Sequence, residues 1–168
     1  MTGPPRIEPA LVRAAQHGDQ IAVADLIDTL APYVGRVCGP IALHDGADAA
    51  QEALILILKN LRRLREPAAV YGWARAIAVR EAVRVARKTA RAVPAELTDV
   101  PASGDLQLTA DVRDVLERLT PEHRAVLVLR DLEGLDERAA GALLNVPAAT
   151  VRTRLFRARR SFRKAWLG

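Results

Sequence analysis

The sequence has little of the chemistry that builds covalent or metal-centred sites. Cys38 is the single cysteine, so the chain cannot form an internal disulfide or a cysteine-based zinc site. His17, His44 and His123 are scattered and lack the spacing of metal ligands. The sequence also contains no glycine-rich phosphate loop and no nucleophile paired with a base. We therefore expect a protein that is not an enzyme, with no catalytic residue, no metal and no cofactor.

Long apolar runs and aromatic residues are also scarce. No run approaches the roughly 18–20 apolar residues of a transmembrane helix, and residues 1–9 lack the apolar core of a signal peptide. We therefore expect a cytoplasmic protein without membrane insertion. Aromatics are only 4% of a chain that is 50% hydrophobic, and the abundance of alanine and leucine favours helices over sheets.

What the chain does have is clustered positive charge. The formal net charge is +5 and the pI is about 10.1, which indicates a polyanionic partner. The basic residues gather in residues 59–91 and again in the last helix. Two separated basic surfaces suggest an extended polyanion that is bound at two places.

The helical periodicity predicts an all-α fold of two small domains. Pro94, Pro101, Ser103 and Gly104 punctuate a segment without a sustained apolar period, which is typical of a linker. We predict a helical domain over residues 8–91, a flexible linker over 92–107 and a helix-turn-helix domain over 108–167. The predicted helices are residues 8–30 with a break near Gly18, 31–38 ended by Gly39-Pro40, 47–64, 70–89, 109–119 and 121–132.

The last third of the chain has the outline of a helix-turn-helix. Asp136 is a suitable N-cap for a helix that begins at Glu137, and Asn145 tolerates the left-handed conformation that ends such a helix. Pro147 can then open the next helix.

That next helix divides into two faces. At about 100° per residue, one stripe should pack inward, and it comprises Val151, Leu155, Ala158 and Phe162. The opposite face carries Arg152, Thr153, Phe156, Arg157 and Arg160. No acid occurs from Arg152 to Lys164, whereas solubility alone would favour mixed signs. We therefore predict that this face enters the major groove of DNA, with a merely solvated basic face as the alternative.

At this point the sequence resembles the extracytoplasmic-function (ECF) sigma factors of the sigma-70 family. The stretch from Leu119 to Arg130, with Gly134-Leu135, Val146-Pro147 and residues 150–159, is similar to region 4 of that family. A sparser match to region 2 comprises Asp48, Gln51-Glu52, Trp73 and Ile77-Ala78. The resemblance covers roughly residues 10–167 with both halves in the family's order.

The resemblance implies a promoter-specificity subunit that binds core RNA polymerase and promoter DNA, with an anti-sigma factor left open as a further partner. The helix over residues 48–60 would dock on the clamp of the largest polymerase subunit. The helix over residues 73–88 and the loop before it would face the −10 element, and the last helix would read the −35 element. The implied polymerase contacts are Asp48, Gln51, Glu52 and Asn60; the −10 contacts are Tyr71, Arg75, Arg80, Arg84 and Arg87; the −35 contacts are Arg152, Thr153, Phe156, Arg157 and Arg160.

The first domain departs from the family pattern at several positions. Leu54 and Leu58 stand where the family has large aromatics, and Arg80 and Arg84 stand where Asn and Asp are common. These changes should exchange specific hydrogen bonds for attraction to the DNA backbone. Two alternatives therefore stay open: a helix-turn-helix regulator that does not initiate transcription, and a sigma-like protein that no longer melts DNA.

Overall fold

The computed structural model describes residues 3–91 and 110–168, and within these ranges every regular element is helical. The predicted linker over residues 92–107 lies outside the described residues, as does the start of the predicted helix over 109–119. The helices fall into an N-terminal helix group before this segment and a C-terminal helix group after it.

The N-terminal helix group contains four α-helices. They are α1 (Pro9–Gln16), α2 (Gln20–Ala42), α3 (Gly46–Asn60) and α4 (Val70–Arg91), with 3₁₀ turns at Leu43–Asp45, Leu61–Arg63 and Pro67–Ala69. The predicted break near Gly18 is confirmed, because this glycine has a φ of +92°. Asp19 then caps α2, since its Oδ1 accepts hydrogen bonds from the amides of Ile21 at 3.0 Å and Ala22 at 3.1 Å.

The prediction of a separate helix over residues 31–38 is wrong. α2 runs unbroken through Pro32 and Pro40 to Ala42. Each internal proline lacks an amide donor and weakens the helix locally. The apolar face of the same stretch includes the fully buried Val34 and Ile41, whose burial contributes roughly 1.5–3 kcal/mol each and offsets that cost.

Helices α2, α3 and α4 enclose the core of the N-terminal group. Leu26 and Leu30 of α2, Ile57 of α3 and Val79 of α4 are completely buried. Because α4 packs along both α2 and α3, its polar side is directed away from this core. The position of the basic face of α4 therefore follows from its apolar stripe.

The C-terminal helix group also contains four α-helices. They are α5 (Ala110–Glu117), α6 (Pro121–Leu127), α7 (Glu137–Leu144) and α8 (Ala148–Leu167). The predicted cap of α6 is confirmed, because the amide of His123 donates to Oγ1 of Thr120 at 3.2 Å. Beyond α6 the chain continues as a π-helix over Val128–Leu132, so the predicted end at residue 132 is right although the helix type changes.

The two groups pack against each other, and most of their buried apolar side chains form one continuous core. Helix α6 contacts both α2 and α4. We refer to this packing as the closed arrangement. In the two described ranges, no helix is long and apolar enough to cross a membrane.

Candidate nucleic-acid interface

The turn between α7 and α8 is held by local hydrogen bonds. Oδ1 of Asp136 accepts from the amide of Ala139 at 2.7 Å, which confirms the predicted cap. Asn145 has φ 57° and ψ 46°, the left-handed conformation expected there. The amide of Val146 then donates to the carbonyl of Gly141 at 2.9 Å, and a Cβ on Gly141 would lie only 2.6 Å from the carbonyl oxygen of Val146. This close approach fixes the direction in which α8 leaves the turn.

Helix α8 divides as its sequence predicts. Val151, Leu155 and Ala158 are buried against the rest of the C-terminal group. Phe162 is only partly buried and stacks on Trp166 with ring centroids 6.3 Å apart. The inward stripe thus anchors the first three turns of α8 and leaves its opposite face in solvent.

We call that solvent face the recognition face, and all five of its residues are exposed: Arg152, Thr153, Phe156, Arg157 and Arg160. Phe156 is 67% exposed, so its aromatic ring faces solvent and is not used in packing the fold. Thr153 donates its hydroxyl to the carbonyl of Ala149 at 3.1 Å. The helix therefore presents a small apolar surface among cations.

The arginines of the recognition face differ in their pairing. Arg152 donates to Glu137 of α7, with Nη2 to Oε2 at 2.8 Å, and this hydrogen bond and charge raise the pKa of Arg152. Arg157 and Arg160 make no side-chain hydrogen bond to any residue that the structure describes. Neither arginine therefore has to break a hydrogen bond to a described residue before it binds an anion.

The arginines of α4 are engaged in the closed arrangement. Nη1 of Arg75 lies 3.4 Å from Glu133, Nε of Arg80 donates to the carbonyl of Leu143 at 3.0 Å, and Nε of Arg87 donates to Glu122 at 2.5 Å. All three acceptors belong to the C-terminal helix group.

Arg84 instead bonds within the N-terminal group. Its Nε donates to Glu81 at 2.8 Å, and Nη2 contacts Glu52 of α3. The hydrogen bond from Arg84 lowers the pKa of Glu81 and outweighs the opposite effect of burial. The predicted −10 arginines therefore do not form one open surface in the closed arrangement.

The two aromatic residues near the start of α4 both pack. Tyr71 lies edge-on against Tyr33, with centroids 5.1 Å apart, and its hydroxyl donates to the carbonyl of Pro5. Trp73, which belongs to the region 2 resemblance, is partly buried against the core.

The predicted polymerase contacts lie along α3. Asp48 and Gln51 are exposed, Glu52 is exposed but contacts Arg84, and Asn60 donates to the carbonyl of Leu56 at 2.8 Å in its own helix. Asn60 is the last residue of α3, and its side-chain amide is bonded within that helix.

The sequence analysis missed one residue of this surface. Ile55 is 46% exposed and lies one helical turn beyond Gln51, beside Leu58, which is 42% exposed. The signal was the uninterrupted apolar run over residues 53–58, which is longer than one buried face of a helix requires.

The polar contacts between the two groups were not predicted. Glu133 accepts a hydrogen bond from the hydroxyl of Tyr33 at 3.0 Å as well as from Arg75. Burial, with the charge and hydrogen bond of Glu133, raises the pKa of Tyr33 to about 12. These two contacts join residues 100 and 58 positions apart, so no local sequence pattern predicts them.

Arg124 is a buried arginine that joins both groups. It donates to the carbonyls of Ile41 at 2.8 Å, Leu116 at 3.2 Å and Leu119 at 2.6 Å. Burial lowers its pKa, although Glu122 and Glu117 lie close enough to oppose this shift. The charge is stabilised mainly by carbonyl dipoles.

An apolar groove lies on the side of α8 away from the recognition face. It encloses about 580 Å³, and its walls include Leu127, Leu132, Phe162 and Trp166. Leu132 is 65% exposed and Trp166 is 53% exposed. An exposed apolar patch of this kind is typical of a protein contact.

Comparison with known proteins agrees with this architecture. Residues 109–162 match the family described as Sigma-70, region 4. The chain is 32% identical to the RNA polymerase sigma-H factor of Pseudomonas aeruginosa, over 92% of this chain and 91% of that protein. It is 28% identical to the ECF RNA polymerase sigma-E factor of Escherichia coli, over 89% of this chain and 88% of the relative.

A third relative is longer. The chain is 33% identical to the ECF RNA polymerase sigma factor SigE of Mycolicibacterium smegmatis, over 71% of this chain. The aligned region is 51% of that relative, so this match spans about half of its length.

Two solved structures share the fold. CnrH in complex with the cytosolic domain of CnrY matches with a TM-score of 0.64 and 21% identity, over 93% of this chain and 94% of that one. The sigma factor RpoE from Bartonella quintana, in complex with the anti-sigma factor NepR, matches with a TM-score of 0.65 and 18% identity, over 84% and 94%. These two matches show the fold. The sequence relatives, among them proteins named as ECF sigma factors, show that the chain belongs to the RNA polymerase sigma factors.

Proposed function

We propose that this sigma factor directs transcription initiation by attaching two separate surfaces of one chain to one promoter while core RNA polymerase holds it. In this proposal residues 8–91 and 108–167 are the two domains, and residues 92–107 join them. The chain acts in the cytoplasm and contributes no covalent chemistry of its own.

The observation that carries the proposal is the recognition face of α8. Its five residues are exposed, whereas the opposite side of the helix packs against α5, α6 and α7. Arginine can donate two hydrogen bonds to guanine, and an apolar ring such as Phe156 can contact a thymine methyl. We assign the −35 element to this face.

The −10 element is assigned to α4, with contacts from Tyr71, Arg75, Arg80, Arg84 and Arg87. Three of these arginines bond to the C-terminal group in the closed arrangement. Contact with the −10 element therefore requires that the two groups separate. Polymerase, which would hold both groups at fixed places, provides the energy for that separation.

Core polymerase is assigned to the exposed face of α3, through Asp48, Gln51, Glu52 and Asn60. Ile55 and Leu58 add exposed apolar area to the same helix. An interface with a few apolar side chains among polar ones is typical of protein contacts that must form and dissociate.

An anti-sigma factor is a further partner in the proposal. The solved RpoE structure is of a sigma factor in complex with an anti-sigma factor, and its fold is the one described above. The apolar groove beside α8 is a suitable surface for such a partner, because Leu132 and Trp166 are exposed there.

Reconstituted transcription tests the proposal. Purified chain with bacterial core polymerase should initiate transcription from a cognate promoter, whereas chain alone or core alone should not.

A variant of α3 tests the polymerase contact. Ile55→Asn should weaken association of the chain with core polymerase. Ile21→Asn, which changes an isoleucine on α2 that is even more exposed, at 77% against 46% for Ile55, is the control and should not weaken it.

The competing function is a helix-turn-helix regulator that binds DNA and does not initiate transcription. The exposed apolar face of α3 disfavours it, because a simple DNA-binding regulator has no need of that surface. Promoter binding by the purified chain with no association with core polymerase would establish the regulator and reject the sigma mechanism.

A further inference from the structure

A cleft of about 660 Å³ opens between α4 and the C-terminal helix group. Its cationic lining comes from both sides, with Arg80, Arg84, Arg87, Lys88 and Arg91 from α4 and Arg154 from α8. We call it the basic cleft. The five α4 residues follow helical spacing, so they lie along one side of that helix.

Glu122 is the one carboxylate among the described residues that line the basic cleft. It accepts from Arg87 at 2.5 Å. Burial alone would raise the pKa of Glu122, but the hydrogen bond from Arg87 and the charges of Arg87 and Arg154 lower it. Arg84 is paired with Glu81 and Glu52, which lie outside the lining, so the carboxylate of Glu122 faces the five other cations alone.

The remaining cations differ in how far they are already bonded. Arg84 bonds to Glu81, and Arg80 uses only Nε on the carbonyl of Leu143. Lys88 and Arg154, which lie on different sides of the cleft, make no side-chain hydrogen bond to another residue in the described parts of the chain. Donors are therefore available on both walls.

His123, which neighbours Glu122 in the chain, is also affected by the positive charge of the cleft. The pKa of His123 is lowered by burial and by the charges of Arg154 and Arg157, against the opposing effect of Glu122. Like charges crowded at a cleft repel one another, and an anion placed between them would relieve that repulsion.

We propose that the basic cleft is a binding site for a free oligophosphate, a chain of two or three phosphoryl groups such as nucleotides carry. The volume is in the range of pockets that hold small ligands. Arginine forks and a lysine suit phosphate oxygens, and cations on two walls suit a ligand with charge along its length.

A ligand in this cleft would join α4 to α8 and so stabilise the closed arrangement by mass action. It would also cover Arg80 and Arg87. If these two arginines contact the −10 element, the ligand and the promoter compete for them; this consequence, unlike the binding itself, rests on the proposed function.

Calorimetric titration of the full chain with inorganic tripolyphosphate at constant ionic strength tests the site. We expect saturable binding of one ligand per chain. The double variant Lys88→Gln/Arg154→Gln should weaken it by about tenfold or more, because it removes two charged donors from opposite walls. The matched variant Arg13→Gln/Arg138→Gln removes the same charge from exposed positions outside the cleft and should bind as the parent does.

Equal weakening in the two double variants would mean that only overall charge attracts the ligand, and it would overturn the proposal. If sulfate binds equally well at the same ionic strength, the proposal is overturned too.

A short oligothymidylate is titrated in parallel. If only its binding depends on Lys88 and Arg154, the phosphates belong to a nucleic-acid strand and no free oligophosphate site exists. Because neither polymerase nor promoter is present, failure here leaves the proposed function untouched.

Discussion

Arg157 and Arg152 share the recognition face of α8 but differ in what they must give up to bind DNA. Arg157 has no side-chain partner among the described residues, whereas Arg152 donates to Glu137. Arg157→Ala should weaken binding of polymerase holoenzyme to the −35 element by about 1–3 kcal/mol if the contact is bidentate to guanine. Fluorescence anisotropy on cognate and scrambled −35 sequences measures the difference.

We expect Arg152→Ala to weaken binding to the −35 element less than Arg157→Ala does. Arg152→Ala removes the proposed DNA contact but also removes the need to break the bond to Glu137, so its cost should be smaller than that of Arg157→Ala. An equal loss on cognate and scrambled DNA for both variants would show that these arginines contact only phosphates.

Arg124 is a buried charged residue whose side chain donates to carbonyls of both helix groups. Arg124→Met keeps much of the apolar volume but leaves the carbonyls of Ile41, Leu116 and Leu119 without their donor. We expect a loss of about 3 kcal/mol in the free energy of unfolding, measured by urea denaturation. Arg118→Met is the matched control, since Arg118 is exposed. Equal stability of the two variants would contradict this account.

At the scale of elements, the turn before α8 depends on Gly141. A glycine is needed there because the chain packs too closely for a Cβ, and not because the backbone has a positive φ. Gly141→Ala would bring a Cβ to 2.6 Å from the carbonyl oxygen of Val146, so the turn must shift. We expect lower thermal stability and weaker −35 binding together. Gly35→Ala in α2 is the matched control, because no atom lies within 4 Å of its added Cβ. In a helix interior that change should be neutral or stabilising by up to about 1 kcal/mol.

The sequence predicts the ends of helices correctly where capping residues close to each end determine them. The caps at Thr120 and Asp136 and the left-handed Asn145 were all readable, because each acts within three or four residues of its own position. The same rules failed at Pro40 in α2. There the burial of neighbouring side chains such as Ile41 outweighs the lost hydrogen bond, and burial depends on helices distant in sequence.

The candidate site divides in the same way. The two faces of α8 follow from helical periodicity, so the exposed positions of Arg157 and Phe156 could be predicted. The engagement of Arg75 and Arg80 could not, because Glu133 and Leu143 are brought to them only by the packing of one helix group on the other.

At the scale of the whole molecule, the proposed promoter contact by α4 requires the closed arrangement to open, because Arg75, Arg80 and Arg87 bond to the C-terminal helix group. Glu133 holds the groups together through Tyr33 and Arg75, and a carboxylate accepts these bonds more strongly than an amide does. Glu133→Gln should therefore shift the population toward separated groups. Glu66→Gln, which alters an exposed residue of the N-terminal group, is the matched control.

Fluorescence resonance energy transfer between dyes on Ala10→Cys and Ala142→Cys would follow the opening, since both positions are exposed and lie in different groups. Cys38 should not compete for the dyes, because it is buried and burial raises the pKa of its thiol to about 12. We expect efficient transfer in the isolated chain, a decrease on adding core polymerase, and a smaller decrease in Glu133→Gln without polymerase. Transfer that core polymerase leaves unchanged would mean that the groups stay together at the promoter, and the −10 contacts would then have to come from residues other than Arg75, Arg80 and Arg87.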